Sequence, residues 1–208
     1  MSIDSECQLF RVFSIDLKQK IERSVYNRRK RKLFFAIDFI QKILFDKFNE
    51  FEEYFIVDSM PLEVAKLSRS LRSKICKEAF YTAPNIGFCA SQNMRYYGYK
   101  THAVCSIDGV FKSFDISKVS VYDICYLKDI KQHFKNCVIL GDKGYLSANY
   151  QLDLFENRKI KLEIPMRKNQ HNYKKQSYIF RKKRKRIETL FSQLCNQFRI
   201  RNNYAKSF

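Results

Sequence analysis

The chain has 208 residues, 45% of them apolar and 15% aromatic, with 19 Phe, 13 Tyr and no Trp. That is enough apolar material for one ordinary domain plus an extension, with too little Gly and Pro for a linker-rich or low-complexity protein. Forty Lys plus Arg against 21 Asp plus Glu give a formal net charge of +19, and so large and clustered an excess points to a polyanionic partner, nucleic acid first.

The first residues carry Asp4 and Glu6 and lack the basic start and apolar core of a signal peptide. Residues 1–50 read as a basic helical extension. Ile15, Leu17 and Ile21 lead into the cationic knot Tyr26-Asn27-Arg28-Arg29-Lys30-Arg31-Lys32. Leu33, Ile37, Ile40, Leu44 and Phe48 then recur at helical spacing, which predicts a core-facing stripe. From about residue 51 the rhythm becomes that of strands. Residues 54–58 form a short apolar run ending in Asp58, and residues 60–96, with Pro61, Pro84 and Gly87, read as irregular.

Residues 99–107 and 110–116 are apolar-rich runs joined by Asp108-Gly109, a strong hairpin signal. Residues 120–134 predict a helix, with Val121, Ile124, Leu127, Ile130 and Phe134 on one side. Residues 138–142 predict a second buried strand, 147–157 a helix, and 160–164 a short strand before Pro165. A last helix carries Ile187, Leu190, Phe191, Leu194 and Phe198 on one stripe. This order predicts an α/β fold of the ribonuclease H-like kind, a mixed sheet flanked by helices over residues 51–208.

The seven cysteines are scattered without a Cys-x-x-Cys pair, so a zinc ribbon or dithiol motif is not indicated; they read as small core residues in a reducing compartment. No apolar stretch approaches membrane-spanning length. No phosphate-cradling glycine loop or nucleophile elbow is present. His102, His133 and His171 have no metal-ligand spacing with a cysteine and read as structural.

Asp58 and Asp142 each end an apolar run, and Glu188 lies at the margin of the last helix's apolar stripe. Neighbouring strands would bring both aspartates to one sheet edge, and a helix packed across it would add the glutamate. Three carboxylates so placed suit hard divalent cations. Two ions about 3.5–4 Å apart can activate the attacking oxygen and stabilise the leaving one in phosphoryl transfer. Taken singly, Asp142-Lys143-Gly144 also reads as a turn, and Glu188 as the partner of Arg184 four residues earlier. Asp115 and Glu63 compete as ligands, and Asp108 belongs to its turn.

Ten Lys or Arg and no acid lie from Arg167 to Arg186. Arg181, Lys182, Lys183, Arg184, Lys185 and Arg186 lead into the Glu188 helix and would set positive charge where a scissile phosphate must lie. Arg95-Tyr96-Tyr97-Gly98-Tyr99-Lys100 mixes basic and aromatic residues, suiting either stacking on unpaired bases or core packing.

Val57-Asp58-Ser59-Met60-Pro61-Leu62, Tyr97-Gly98-Tyr99-Lys100-Thr101-His102-Ala103, Leu140-Gly141-Asp142-Lys143-Gly144-Tyr145 and Arg186-Ile187-Glu188-Thr189-Leu190-Phe191 resemble bacterial insertion-sequence transposases of the DDE class, and within it the insertion-sequence family numbered 982. The resemblance implies a ribonuclease H-like catalytic domain that cleaves DNA and transfers strands. It implies two Mg²⁺ ions, replaceable by Mn²⁺. It places the metal-binding catalytic triad on Asp58, Asp142 and Glu188, with Glu188 also orienting the attacking water. It further implies element-end and target DNA as partners, a homo-oligomer on DNA, no membrane association, and a bacterial cytoplasmic, nucleoid-associated location.

Related transposases often carry a basic residue two turns after the glutamate. That position is Cys195 here, so the contact would fall to Arg199. Against the family's pattern the chain reads as truncated at both ends. A nuclease without strand transfer, or a DNA-binding remnant without catalysis, are the alternative readings.

Overall fold

In a computed structural model, the structure describes residues 22–48, 52–171, 173–198 and 200. The expectations for Asp4, Glu6, Ile15, Leu17, Ile21 and Arg199 lie outside them. Six strands form one sheet: β1 (Tyr54–Ala65), β2 (Asn85–Cys89), β3 (Met94–Ser106), β4 (Phe111–Lys118), β5 (Cys137–Leu140) and β6 (Ile160–Glu163). β3 is antiparallel to β1 on one edge, and on its other edge meets β2 and then β4 in succession. β5 is parallel to β1, and β6 parallel to β5. The result is a curled mixed sheet flanked by helices, as expected of a ribonuclease H-like fold.

The hairpin forms where Asp108-Gly109 predicts it. Gly109 takes φ 95°, a left-handed conformation that favours glycine, and the Val110 carbonyl accepts from the Ser106 N–H. The predicted helix at 120–134 begins as a 3₁₀ turn, Asp123–Tyr126, and continues as a short α-helix, Leu127–His133. The next helix spans Ala148–Arg158 with Ser147 as its N-cap, and its C-cap, Lys159, is left-handed.

Side-chain alternation divides the core between the two sheet faces. Phe55, Val57, Val104, Ile139, Ile160 and Leu162 bury against Leu127, Ile130 and Leu154 from those two helices and against Phe134, the C-cap of the first. Ile56, Met60, Ala103, Cys105 and Leu140 on the opposite face bury against Ile187, Leu190 and Phe191 of the last helix, Tyr178–Phe198.

Three expectations need correction. β1 does not stop at Asp58 but runs on to Ala65 through Pro61. Its pairing with β5 ends at Ile56, so beyond that point one edge of β1 is bare, where a residue lacking an N–H is tolerated. The stretch read as irregular also contains β2, closed against β3 by a turn in which Asn93 takes φ 48°. Finally, the N-terminal stripe does not face this core. The first two helices of the described residues, α1 (Arg23–Lys32) and α2 (Phe34–Phe48), are broken at Leu33, and Leu33, Ile37, Ile40 and Leu44 are exposed. None of their described side chains joins the buried clusters. Helical periodicity marks an apolar face without saying what covers it.

With α1 and α2 so placed, the later helices are α3 (Leu127–His133), α4 (Ala148–Arg158) and α5 (Tyr178–Phe198). Among the described residues no helix is long and apolar enough to cross a membrane.

Candidate active site

Register brings Asp58 and Asp142 together. The last β1–β5 pair is Ile56 with Leu140, and each aspartate lies two residues further along the chain, Asp58 still within β1 and Asp142 just past the end of β5. β1 continues there against β3, with Asp58 opposite Ala103, while β5 ends and turns away. Gly141 packs closely against β1 there: a Cβ on it would sit 3.2 Å from Val57 Cγ1, tighter than ordinary contact. Asp142 then caps the 3₁₀ turn Lys143–Tyr145, its Oδ1 accepting from the Gly144 N–H at 2.7 Å. The turn reading of Asp142 is therefore correct and compatible with a second role, because Oδ2 takes no part in that cap.

Asp58 shares its sheet face with Ile56 and Met60, the face that receives α5. Its Oδ1 accepts from the Ser59 N–H at 2.8 Å. Ile187 is fully buried against that face, which fixes the next residue, Glu188, at the sheet–helix margin with its side chain exposed.

The electrostatics couple the three acids. The Asp58 carboxyl is pushed up to about 7, chiefly by burial; the Ser59 N–H and Arg184 oppose the rise, while the Asp142 and Glu188 carboxylates add to it. Asp58 thus lies in the field of both other carboxylates and of one guanidinium. The same fields reach Tyr145, whose hydroxyl is held well above its ordinary value by burial and by Asp123, Asp58 and Asp142.

Among the described residues no group of three or more His, Cys, Asp or Glu is drawn together closely enough to hold a metal ion. The donor set nonetheless fits hard divalent cations. The acids are oxygen donors whose mutual repulsion a cation would relieve, and such ions keep several waters and need only one or two protein carboxylates beside substrate phosphates.

An open cleft of about 350 Å³ adjoins Glu188. Lys143, Lys174, Lys175, Arg181, Arg184 and Lys185 line it, and Glu188 is the acid among its lining residues. The basic block does not precede the helix, as expected, but forms its first turns, and helical geometry divides it. Arg181, Arg184 and Lys185 face the cleft; Lys182 and Lys183 are exposed and do not line it. Arg186 reaches back to the hairpin, its Nη2 donating to the Asp108 carbonyl at 2.9 Å.

The other candidates separate cleanly. Tyr96, Tyr97 and Tyr99 are buried, so the Arg95–Lys100 segment packs the core and offers no stacking face. His102 is structural: Nε2 lies 2.8 Å from Ser117 Oγ and the ring stacks on Tyr126, while His133 and His171 are exposed. Asp115 sits mid-strand in β4, paired across from His102, and Glu63 lies beyond the site on β1. Cys195 is half-buried against the α5 cluster, and the described cysteines are free.

Asp123 escaped sequence reasoning. Its Oδ1 holds Lys100 Nζ at 2.7 Å. Its Oδ2 lies beside the Asp142 turn, where a Cβ on Gly144 would meet Asp142 Oδ1 at 2.9 Å and Asp123 Oδ2 at 3.1 Å. The lysine of the Tyr-Gly-Tyr-Lys segment was the available signal, but nothing in the spacing names its partner.

Residues 49–208 match the family model described as the transposase DDE domain. No curated protein matches the chain.

Proposed function

The chain belongs to the transposase DDE domain family, and from that premise we propose that it is an insertion-sequence transposase of family 982 that cleaves DNA at element ends and transfers strands, with residues 51–208 as the catalytic domain. The observation that carries this reading is Asp58, partly buried and under the joint field of Asp142 and Glu188. We assign Asp58, Asp142 and Glu188 to hold Mg²⁺, or Mn²⁺ in its place. Bound there, two such ions would activate the attacking oxygen and neutralise charge on the phosphate.

The chain's own residues supply the rest. Arg181, Arg184 and Lys185 bind the phosphodiester beside Glu188 without choosing sequence. Glu188, exposed at the cleft, orients the attacking water or 3′-hydroxyl and accepts its proton. The Ser59 N–H and the Gly144 N–H each hold one oxygen of the two aspartates, fixing their orientation. The basic α1 adds phosphate contacts as part of an extension over residues 1–50, and the protein acts as a homo-oligomer on DNA in the bacterial cytoplasm.

Strand transfer separates this function from simple hydrolysis. Pre-cut element ends bearing a free 3′-hydroxyl, incubated with Mg²⁺ and a target plasmid, should give joined products. Cleavage of intact ends without any joining from pre-cut ends would make the protein a nuclease instead.

A further inference from the structure

The loop between β1 and β2 carries a surface that the catalytic reading does not use. Phe80 and Tyr81 are 83% and 87% exposed, with ring centroids 5.8 Å apart and planes at 81°. Adjacent exposed aromatics contribute nothing to the buried clusters, and exposed apolar groups placed together mark an interaction site.

The main chain on either side of Tyr81 is pinned. Lys118 Nζ donates to the Phe80 carbonyl at 2.7 Å and lies 5.1 Å from the Phe80 ring centroid. The Tyr99 hydroxyl donates to the Thr82 carbonyl at 2.6 Å. Tyr81 is therefore bracketed by two anchored neighbours, which lowers the ordering cost of any ligand that stacks on it. Charge selects the ligand: Lys118 Nζ lies against the Phe80 ring, and the same loop exposes Lys66, Arg69, Arg72 and Lys74 and carries one acid, Glu78. A protein-binding patch is depleted of charge at its centre. Aromatic faces among cations match a single nucleic-acid strand, in which bases stack on the rings while phosphates meet the cations.

We propose that Phe80 and Tyr81 form a stacking platform for an unpaired DNA strand. The loop leaves β1 at Ala65, on the strand that carries Asp58. The inference rests on the transposase reading and deepens it by naming the form of DNA that the protein holds, and binding is measured in EDTA so that it stands or falls apart from catalysis.

The chain lacks Trp, so Tyr81→Trp installs a single reporter. Titration with a single-stranded oligodeoxynucleotide should quench its fluorescence to saturation. In the full chain, the Phe80→Ala/Tyr81→Ala double variant should bind that oligonucleotide about tenfold more weakly, an effect within the range for one stacked base. Its affinity for blunt duplex should change less than twofold, and its melting temperature should match the wild type. An unquenched Tyr81→Trp, or equal losses on single strand and duplex, would overturn the platform. So would a variant whose altered property is self-association in the absence of DNA.

Discussion

Asp58 keeps its proton to higher pH in the folded protein than in the unfolded chain, because burial and two neighbouring carboxylates disfavour its charged form. Its contribution to stability is complete below about pH 4 and is lost as pH rises through about 7. In metal-free protein, Asp58→Asn should therefore gain stability relative to wild type between pH 5 and pH 8, on the order of 2 kcal/mol after allowance for partial exposure. His102 has the opposite sense, since burial lowers it, but it is common to both proteins and drops out of the difference. Melting curves across that range check the sign. Mg²⁺ should raise the wild-type melting temperature more at pH 8 than at pH 6, and should do little for Asp58→Asn.

Helix α5 sets a core residue beside a cleft residue, Ile187 against the sheet and Glu188 at the cleft. Ile187→Ala should cost about 2–5 kcal/mol in denaturant unfolding, the range for a large-to-small change in a packed core. The same helix sorts the basic block. Arg181→Ala and Arg184→Ala should weaken cleavage of a given DNA more than Lys182→Ala or Lys183→Ala, because the first pair lines the cleft. Much of this was legible beforehand. Asp108-Gly109 named its hairpin, and Ile187, Leu190 and Phe191 named the face that docks. The remainder was hidden for physical reasons. Ser59-Met60-Pro61 reads as a strand stop, and only the bare edge of β1 beyond Ile56 lets the strand continue. Asp123 meets Asp142 across tertiary structure that leaves no spacing in the chain. The apolar stripe on α2 announces a need for a partner and nothing about which one.

Taken as a whole, the molecule is an acidic point in a basic field: three carboxylates within a chain of formal net charge +19. Six cations line the cleft beside Glu188. If DNA phosphates meet all six, the logarithm of duplex affinity should fall against the logarithm of salt with a slope of about −5, and removing one cleft cation should reduce that slope by about 1. A flat salt response would mean that the cleft does not hold the backbone. The proposed triad makes the stronger demand, that Asp58, Asp142 and Glu188 act as one unit. The decisive experiment is Mg²⁺-dependent nicking of element-end DNA by wild type, by Asp58→Asn, Asp142→Asn and Glu188→Gln singly, and by the triple variant. Groups that act together are strongly non-additive, so each single change should abolish nicking while leaving metal-free DNA binding intact, and the triple variant should be no worse. Wild-type nicking by any one of the three variants would contradict a shared site.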